Sequence, residues 1–278
     1  MNEASLYSKY SGLQKTDAKF VVDNYLRLVK WKSHEKILDV GSGDGDVLLE
    51  ILLPGLPPDF HRLVGTDVSD DMVRHARNKC KHSKVDFVPL DIATSSIPPE
   101  FYEYFDHIFS FYCLHWVPEQ RRAMKNMFDM LTPGGDMLLA FLASNPIYDI
   151  YENMAKSNKW APYMHNVKKY ISPYHHSEHP ENELEDILKK EGFVSHLCRV
   201  EDRTYTFPSF QILSKSVAAV NPFIKKLPDD EVDNYIQDYV KEVRKLESIT
   251  VETCNNNDNE EKVHVPYKLF VVFASKVV

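Results

Sequence analysis

The 278-residue chain has few cysteines, no surplus of positive charge and no long hydrophobic run. Its four cysteines, at positions 80, 113, 198 and 254, form no Cys-x-x-Cys pair, which argues against a zinc site or a disulfide framework. Lysine and arginine number 33 against 41 acids, so a nucleic-acid partner is not expected. No segment approaches the ~18 apolar residues of a membrane span, and residues 1–15 do not resemble a targeting sequence. These absences predict a reduced, cytoplasmic protein without membrane association.

The first half of the chain alternates short apolar runs with amphipathic segments, and its 43% hydrophobic composition can supply a core. Apolar runs at 36–40 and 62–67 flank a helical pattern of four aliphatic residues between positions 47 and 52. The alternation continues as a helix at 70–80, strands at 85–90 and 105–111, a helix at 120–131 and a strand at 136–142. Repeated βα units predict right-handed crossovers and a parallel sheet. We therefore expect an α/β protein with a doubly wound, Rossmann-like sheet.

Two helix-rich insertions, 143–181 and 209–247, interrupt this pattern in the second half of the chain. Between and after them the sequence predicts a helix at 181–190, a strand at 193–200 and a last strand at 267–274, with a hairpin loop at 255–261. The expected division is an N-terminal helical segment (1–34) that closes the site, a core (35–142, 182–208 and 248–278) and a helical substrate-binding cap (143–181 and 209–247). The insertions should meet above the carboxyl ends of the strands.

A glycine-rich turn, Asp39-Val-Gly-Ser-Gly-Asp-Gly45, separates the first predicted strand from the first helix. Glycine permits a tight turn and close approach of the backbone to a ligand. Position 46 is aspartate, where a dinucleotide fingerprint would have its third glycine. The aspartates at 39, 44 and 46 would repel a diphosphate, but they suit a ligand that carries an ammonium and a sulfonium.

Acidic or polar residues also follow the next three predicted strands. Asp67 ends the second strand, where a carboxylate can accept both ribose hydroxyls of an adenosine. Asp91 and Ile92 follow the third strand, at a place suited to an adenine amino edge and ring face. The segment 109–116 follows the fourth. Taken together, these positions predict a positively charged ligand that contains adenosine.

These motifs resemble those of the class I S-adenosylmethionine-dependent methyltransferases over residues 36–142, 181–200 and the last strand. Four further segments, at 13–18, 109–116, 171–175 and 215–223, resemble the juvenile hormone acid methyltransferases of insects. The resemblance implies S-adenosylmethionine as methyl donor, S-adenosylhomocysteine as product and, as substrate, an apolar isoprenoid acid such as farnesoic acid or juvenile hormone acid. A homodimer is compatible with it. It also implies cofactor contacts from ten residues: Gln14, Asp39, Gly41, Gly43, Asp67, Val68, Met72, Asp91, Ile92 and Ser110.

Methylation of a carboxylate needs no general base, because an acid of ordinary pKa is already ionised at pH 7. The enzyme must aim one oxygen at the methyl carbon and exclude water. Neutral hydrogen-bond donors suit this task better than lysine or arginine, whose charge would stabilise the ground-state carboxylate. Gln14 and Trp116 are the predicted donors, and the resemblance implies the same roles for a glutamine near the N-terminus and a tryptophan after the fourth strand.

His115 leaves the reaction class open at this stage. It could be a general base for a hydroxyl or amine acceptor, a third donor to the carboxylate, or a packed core residue. Methylation of another small acid and a non-catalytic role as a carrier of an apolar ligand are further alternatives.

Two other features of the insertions invite interpretation. The histidines between 175 and 179 would suit zinc only on a helix, yet Pro173 and Pro180 bracket them, so no metal is expected. Aromatic residues are also frequent in and near the insertions: Tyr148, Tyr151, Trp160, Tyr163, Tyr170, Phe207, Phe210 and Phe223. Some of them must belong to the core. We expect the group to build an apolar substrate tunnel.

Overall fold

The computed structural model describes residues 4–253 and 261–277, and these form a mixed α/β fold. The strands are β1 (Lys36–Val40), β2 (Arg62–Asp67), β3 (Val85–Pro89), β4 (Phe105–Phe111), β5 (Leu131–Ser144), β6 (Phe193–Phe207), β7 (Thr250–Thr253) and β8 (Glu261–Lys276). The helices are α1 (Ala4–Tyr10), α2 (Gly12–Tyr25), α3 (Asp70–Lys79), α4 (Gln120–Met130), α5 (Pro146–Ala155), α6 (Ala161–Met164), α7 (Pro180–Lys190), α8 (Phe210–Val220) and α9 (Val232–Val243). In the described part of the chain, no helix combines the length and hydrophobicity needed to cross a membrane.

The strands follow the order β3-β2-β1-β4-β5-β8-β6, and β7 pairs antiparallel with β8. The pairs β3–β2, β2–β1, β1–β4 and β4–β5 are all parallel. The predicted doubly wound, Rossmann-like sheet is therefore confirmed. Its strand order reverses between β1 and β4, and ligands of such sheets bind outside the carboxyl ends of the strands at this reversal.

The chain divides into two compact units. The first contains residues 1–12, 143–176 and 202–268, and the second contains 13–142, 177–201 and 269–278. These limits differ from the expected division, since residues 13–34 fall in the same unit as β1–β4, and 248–268 fall with the second insertion. The second difference has a local cause: β7 and the start of β8 form a hairpin. Its predicted loop at 255–261 lies, apart from Glu261, outside the described residues.

Several predicted elements have different limits or winding. The segment between β1 and β2 forms a π-type turn at Leu48–Leu52 and a tight 3-10 turn at Leu53–Gly55. The helix predicted from the aliphatic spacing is thus present with π winding, and Pro54, which has no N–H to continue an α-helix, lies in the turn that ends it. β6 runs to Phe207, beyond the predicted end at 200. The sequence did not predict this extension because exposed polar residues alternate with half-buried ones there and form no continuous apolar run.

The first unit has its own aromatic core. The Tyr151 ring lies edge-on to Phe223 at 5.3 Å, and Trp160 lies edge-on to Tyr235 at 5.1 Å between ring centroids. Five of the aromatic residues expected to line a tunnel are buried here: Tyr148, Tyr151, Trp160, Phe207 and Phe223. These residues stabilise the fold of the unit, and a tunnel lining stays a prediction for the half-buried Tyr163, Tyr170 and Phe210.

A buried histidine joins three chain segments at the amino ends of the central strands. His107 Nδ1 lies 2.7 Å from Asp136 Oδ1, and its Nε2 lies 3.0 Å from Glu35 Oε2. Burial lowers the pKa of His107, but the hydrogen bond and charge of Asp136, followed by those of Glu35, outweigh this effect and raise the pKa above its ordinary value. Below this raised pKa the imidazole is protonated, compensates two buried carboxylates and links β4, β5 and the residue that precedes β1.

His107→Gln should destabilise the fold in a pH-dependent way. A raised pKa in the folded state means that the stabilising effect is complete below the unfolded pKa of about 6.5 and is lost as the pH rises through the folded value. The substitution should cost about 3 kcal/mol at pH 6, because two buried carboxylates lose their cation, and less at pH 9. Urea unfolding of both proteins at the two pH values measures this difference. A cost that is the same at both would contradict the charged state assigned to His107.

Candidate active site

The glycine-rich turn leaves the carboxyl end of β1 in a backbone conformation that requires glycine. The φ angles of Gly41, Gly43 and Gly45 are 75°, 56° and 83°, a region that residues with a Cβ rarely adopt. A Cβ added to Gly41 would also lie only 2.3 Å from the Cβ and Sγ of Cys113, the second residue after β4. The turn therefore packs directly against the segment that leaves β4.

Asp67, at the end of β2, holds this turn in place. One of its carboxylate oxygens accepts the Gly43 N–H at 3.0 Å and the other accepts the Ser69 N–H at 2.9 Å. Burial raises its pKa above the ordinary value. Each oxygen has a second lone pair, so the carboxylate can still accept ribose hydroxyls. The adjacent Val68 side chain is 73% exposed, which offers an apolar surface beside this carboxylate.

Asp39 is buried beneath the turn with an incomplete set of partners. The residue is 1% exposed, and its Oδ1 has no hydrogen-bond partner among the described residues. Burial, followed by the charge of Asp67, raises its pKa to about 8. A buried carboxylate without a cation is costly unless a ligand compensates it. Asp39 is therefore suited to the ammonium group of a bound ligand.

The other two aspartates of the turn have protein partners. Lys15 Nζ of α2 lies 2.6 Å from Asp46, and Lys79 of α3 contacts the same carboxylate and lies 3.7 Å from Asp44. Lysines from two different helices therefore converge on Asp46 and compensate its charge. That Asp39 and Asp67 bind a positively charged nucleoside stays a prediction.

The turn after β3 is fixed by a residue that the sequence did not single out. Asn126 of α4 donates its side-chain N–H groups to the carbonyls of Ile92 at 2.7 Å and Thr94 at 2.9 Å. Asp91 is exposed and accepts the Ala93 N–H at 2.9 Å, whereas Ile92 is buried. Only the apolar pattern of α4 was visible in sequence, and no local signal distinguished Asn126 from a surface residue.

Ser110 and Met72 are both buried and belong to the packing around the site. The Ser110 hydroxyl donates to the carbonyl of Val40 at 2.8 Å, which joins β4 to β1 at their carboxyl ends. Met72 is 2% exposed on α3, and its backbone N–H donates to the capping hydroxyl of Ser69. Direct contact of either side chain with a cofactor stays a prediction.

The segment after β4 is a short 3-10 turn, Leu114–Trp116, held by a buried glutamine. Gln120 Nε2 donates to the carbonyls of Leu114 at 2.7 Å and Val117 at 2.6 Å. These bonds fix both ends of the turn. Trp116 is half-buried, and its ring centroid lies 4.9 Å from that of His115.

His115 is neutral in this environment. It is 2% exposed, and its Nδ1 accepts the Leu142 N–H at 3.4 Å, which assigns the proton to Nε2. Burial lowers the pKa of the imidazole to about 3. A base this weak contributes little near pH 7, so the arrangement favours the donor or packing role over the general-base role.

Gln14 lies on α2 just before two residues that attach this helix to the site. Its neighbour Lys15 binds Asp46 of the glycine-rich turn, and Asp17, three residues later, accepts the Tyr112 hydroxyl at 2.5 Å. α2 therefore contacts both the turn after β1 and the segment after β4. Gln14 itself is half-buried.

The histidines at 175–179 are arranged as polar partners of acids rather than as metal ligands. His175 Nε2 lies 3.1 Å from Asp149 and its Nδ1 lies 2.9 Å from the Ser144 hydroxyl, while His176 lies 3.1 Å from Glu152. Within the ranges 4–253 and 261–277, no group of three or more potential ligands could hold a metal ion.

Comparison with known proteins agrees with this geometry. Residues 37–135 match the family described as "Methyltransferase domain". The chain is 38% identical over 280 residues to a juvenile hormone acid O-methyltransferase of Drosophila melanogaster, covering 99% of this chain and 93% of the relative. It is 37% identical to the Bombyx mori protein of the same name, covering 100% and 98%. The chain belongs to the juvenile hormone acid O-methyltransferase family. The family assignment made from sequence motifs is thereby confirmed.

Solved structures share the fold of this family member at low sequence identity. A Bacillus halodurans protein assigned as a methyltransferase has a TM-score of 0.60 and 17% identity, covering 92% of this chain and 99% of that one. A Haemonchus contortus phosphoethanolamine N-methyltransferase solved with S-adenosylhomocysteine has a TM-score of 0.56 and 16% identity, covering 99% and 57%. At such identities the likeness establishes the fold alone.

If Asp39 receives the cofactor ammonium, binding should release a proton. With a pKa of about 8, Asp39 is mostly protonated at pH 7 in the free protein and must ionise to pair with a cation. At pH 7 the protein should therefore release about one proton more than Asp39→Asn on binding S-adenosylmethionine. Calorimetry in two buffers of different ionisation enthalpy measures the release. Equal values for the two proteins would remove Asp39 from the ammonium site.

Proposed function

We propose that this chain transfers the methyl group of S-adenosylmethionine to the carboxylate of an apolar isoprenoid acid, of the juvenile hormone acid or farnesoic acid type. The products would be the methyl ester and S-adenosylhomocysteine. Two observations together support this proposal. The chain is related over its whole length to two juvenile hormone acid O-methyltransferases, and a neutral His115 lies beside Trp116. That environment suits an acceptor that needs aiming rather than deprotonation.

The residues at the strand ends fit S-adenosylmethionine. Asp39, whose Oδ1 has no partner among the described residues, would hold the ammonium, and Asp67 would accept the ribose hydroxyls. Asp91, Ile92 and Val68 would surround the adenine with one acceptor and two apolar side chains. When bound, the cofactor supplies an electrophilic methyl group on a sulfonium. Carboxylates beside a sulfonium and an ammonium are electrostatically favourable, as they would not be beside a diphosphate.

Gln14 and Trp116 would hold the substrate carboxylate through neutral N–H donors. The glutamine amide offers two N–H groups and the indole offers one, which leaves an oxygen free to point at the methyl carbon. His115 Nε2 could supply a third donor. Because none of these groups carries a full charge, they stabilise the ionised ground state less than a lysine or arginine would, which matters since that charge diminishes in the transition state.

Two lysines beside the glycine-rich turn are paired with a carboxylate of that turn. Lys15 and Lys79 both pair with Asp46, so their charges are directed at the glycine-rich turn. The substrate oxygen needs no base, since a carboxylate is already ionised at pH 7. The protein must then orient the substrate and exclude water.

The substrate-binding role of residues 143–181 and 209–247 stays a prediction.

Incubation of the purified chain with S-adenosylmethionine and farnesoic acid tests the proposal. The methyl ester should form, and farnesol, which has the same chain but a hydroxyl in place of the carboxylate, should not be methylated. Methylation of farnesol would favour the alternative in which a base activates a hydroxyl. Cofactor binding without methylation of either compound would favour the non-catalytic carrier.

Three variants should separate cofactor binding from substrate aiming. Asp67→Ala loses acceptors for the ribose hydroxyls, each worth roughly 1.5–3 kcal/mol, so it should weaken cofactor binding at least tenfold. Gln14→Ala and Trp116→Phe should leave cofactor affinity nearly intact and lower kcat, because near-attack geometry is lost. Calorimetry and steady-state kinetics give the two quantities. If Gln14→Ala abolished cofactor binding while turnover per bound cofactor stayed normal, Gln14 would belong to the cofactor site instead.

The pH profile should distinguish aiming from base catalysis. With the pKa of His115 at about 3 and the substrate ionised, kcat at saturating concentrations of both substrates should be flat between pH 6.5 and 8.5. His115→Asn, which keeps a side-chain N–H donor, should show the same flat profile. An acidic limb that disappears in this variant would instead identify a catalytic histidine.

A further inference from the structure

Tyr112, the first residue after β4, has an unusual backbone conformation. Its φ angle is 59°, in the left-handed region that a bulky residue rarely occupies and that is found mainly where surrounding contacts enforce it. The Tyr112 N–H donates to the Ala140 carbonyl of β5 at 2.8 Å. The backbone thus turns sharply at the point where the chain leaves the sheet towards His115 and Trp116.

The side chain of Tyr112 connects this point to α2. Its hydroxyl donates to Asp17 Oδ2 at 2.5 Å, and both residues are buried, at 8% and 0% exposure. Asp17 follows Gln14 by three residues, so the two lie on neighbouring positions of the same helical face. A single hydrogen bond therefore fixes the face of α2 that carries Gln14 against the chain that leaves β4.

The Tyr112 ring also touches the histidine next to Trp116. The Tyr112 and His115 rings meet edge to face with centroids 5.6 Å apart, and the His115 and Trp116 centroids are 4.9 Å apart. Tyr112 is thus linked to Gln14 through its hydroxyl and to Trp116 through its ring. Neither link exposes Tyr112 to a ligand.

We propose that the hydrogen bond between Tyr112 and Asp17 is a positioning device that sets the separation of Gln14 and Trp116. The inference rests on the proposed function, since these two side chains are the donors assigned to the substrate carboxylate. Tyr112 and Asp17 act through them and do not touch the reacting atoms. Loss of the bond would let α2 shift relative to the 3-10 turn, and shifts of about 1 Å are enough to impair an in-line transfer.

Deletion of the bond from either side should lower kcat without loss of cofactor binding. We expect Tyr112→Phe and Asp17→Ala each to reduce kcat about tenfold or more, with the S-adenosylhomocysteine Kd within twofold of the parent value. Asp17→Asn, whose amide oxygen can still accept the hydroxyl proton, should restore kcat to within about threefold. The double variant Tyr112→Phe/Asp17→Ala should be no slower than either single variant, because both remove the same interaction.

Tyr25→Phe is the matched control. Tyr25 lies at the other end of α2, about 16 Å from Gln14 along the helix, and its hydroxyl donates to the Glu201 carboxylate at 2.6 Å. This variant removes the same kind of tyrosine–carboxylate bond from the same helix, so its melting temperature should fall while kcat stays within twofold. If Tyr112→Phe behaved like Tyr25→Phe, or if Asp17→Asn were as slow as Asp17→Ala, the positioning role would be overturned.

Hydrogen exchange of α2 gives a readout that does not depend on turnover. Tyr112→Phe should increase amide exchange in residues 13–18 relative to 20–25, and Tyr25→Phe should show the reverse. If the parent protein formed no ester, the proposed function would fail, yet the exchange pattern would still show whether the bond holds the Gln14 end of α2. Unchanged exchange at 13–18 in Tyr112→Phe would refute the positioning device even in an active enzyme.

Discussion

The contact between Gly41 and Cys113 is the constraint on which the rest of the site depends. It occurs where the strand order reverses, so the turn after β1 and the segment after β4 leave the sheet side by side. Because Gly41 has no Cβ, the turn that follows Asp39 and the segment that carries His115 and Trp116 approach each other closely. A side chain at Gly41 would separate the part of the site that suits the cofactor from the part that suits the substrate.

The aspartates in and beside the glycine-rich turn differ in how their charge is compensated. Asp46 is compensated by lysines from α2 and α3, which anchors the two helices to the turn. Asp67 accepts hydrogen bonds from two backbone N–H groups and has further lone pairs that can accept from other donors. Asp39 combines deep burial with an Oδ1 that has no hydrogen-bond partner among the described residues. The turn therefore presents less negative charge to a ligand than its composition indicates, because Asp46 is paired with lysines and burial keeps Asp39 mostly protonated at pH 7 in the free protein.

The proposed acceptor side of the site is, by contrast, neutral. Burial suppresses the charge of His115, and Trp116 and Gln14 contribute only N–H dipoles. A neutral region suits a reaction in which an anion becomes a neutral ester, because binding energy is not spent on the charge that disappears. The same neutrality disfavours hydroxyl or amine acceptors that would need a proton removed near pH 7.

The sequence by itself determined the sheet, the glycine-rich turn, the acids at the strand ends and the family, because each depends on a local pattern. Apolar periodicity specifies strands and helices, and glycine marks the positive φ angles of the turn after β1. The sequence could not reveal that Lys15 neutralises Asp46, that Asn126 fixes the turn after β3, or that Tyr112 binds Asp17. These partners lie 31, 34 and 95 positions apart. Only the tertiary structure decided them, since a hydrogen bond or ion pair depends on which side chains the fold brings within about 3 Å, and no local pattern encodes that distance.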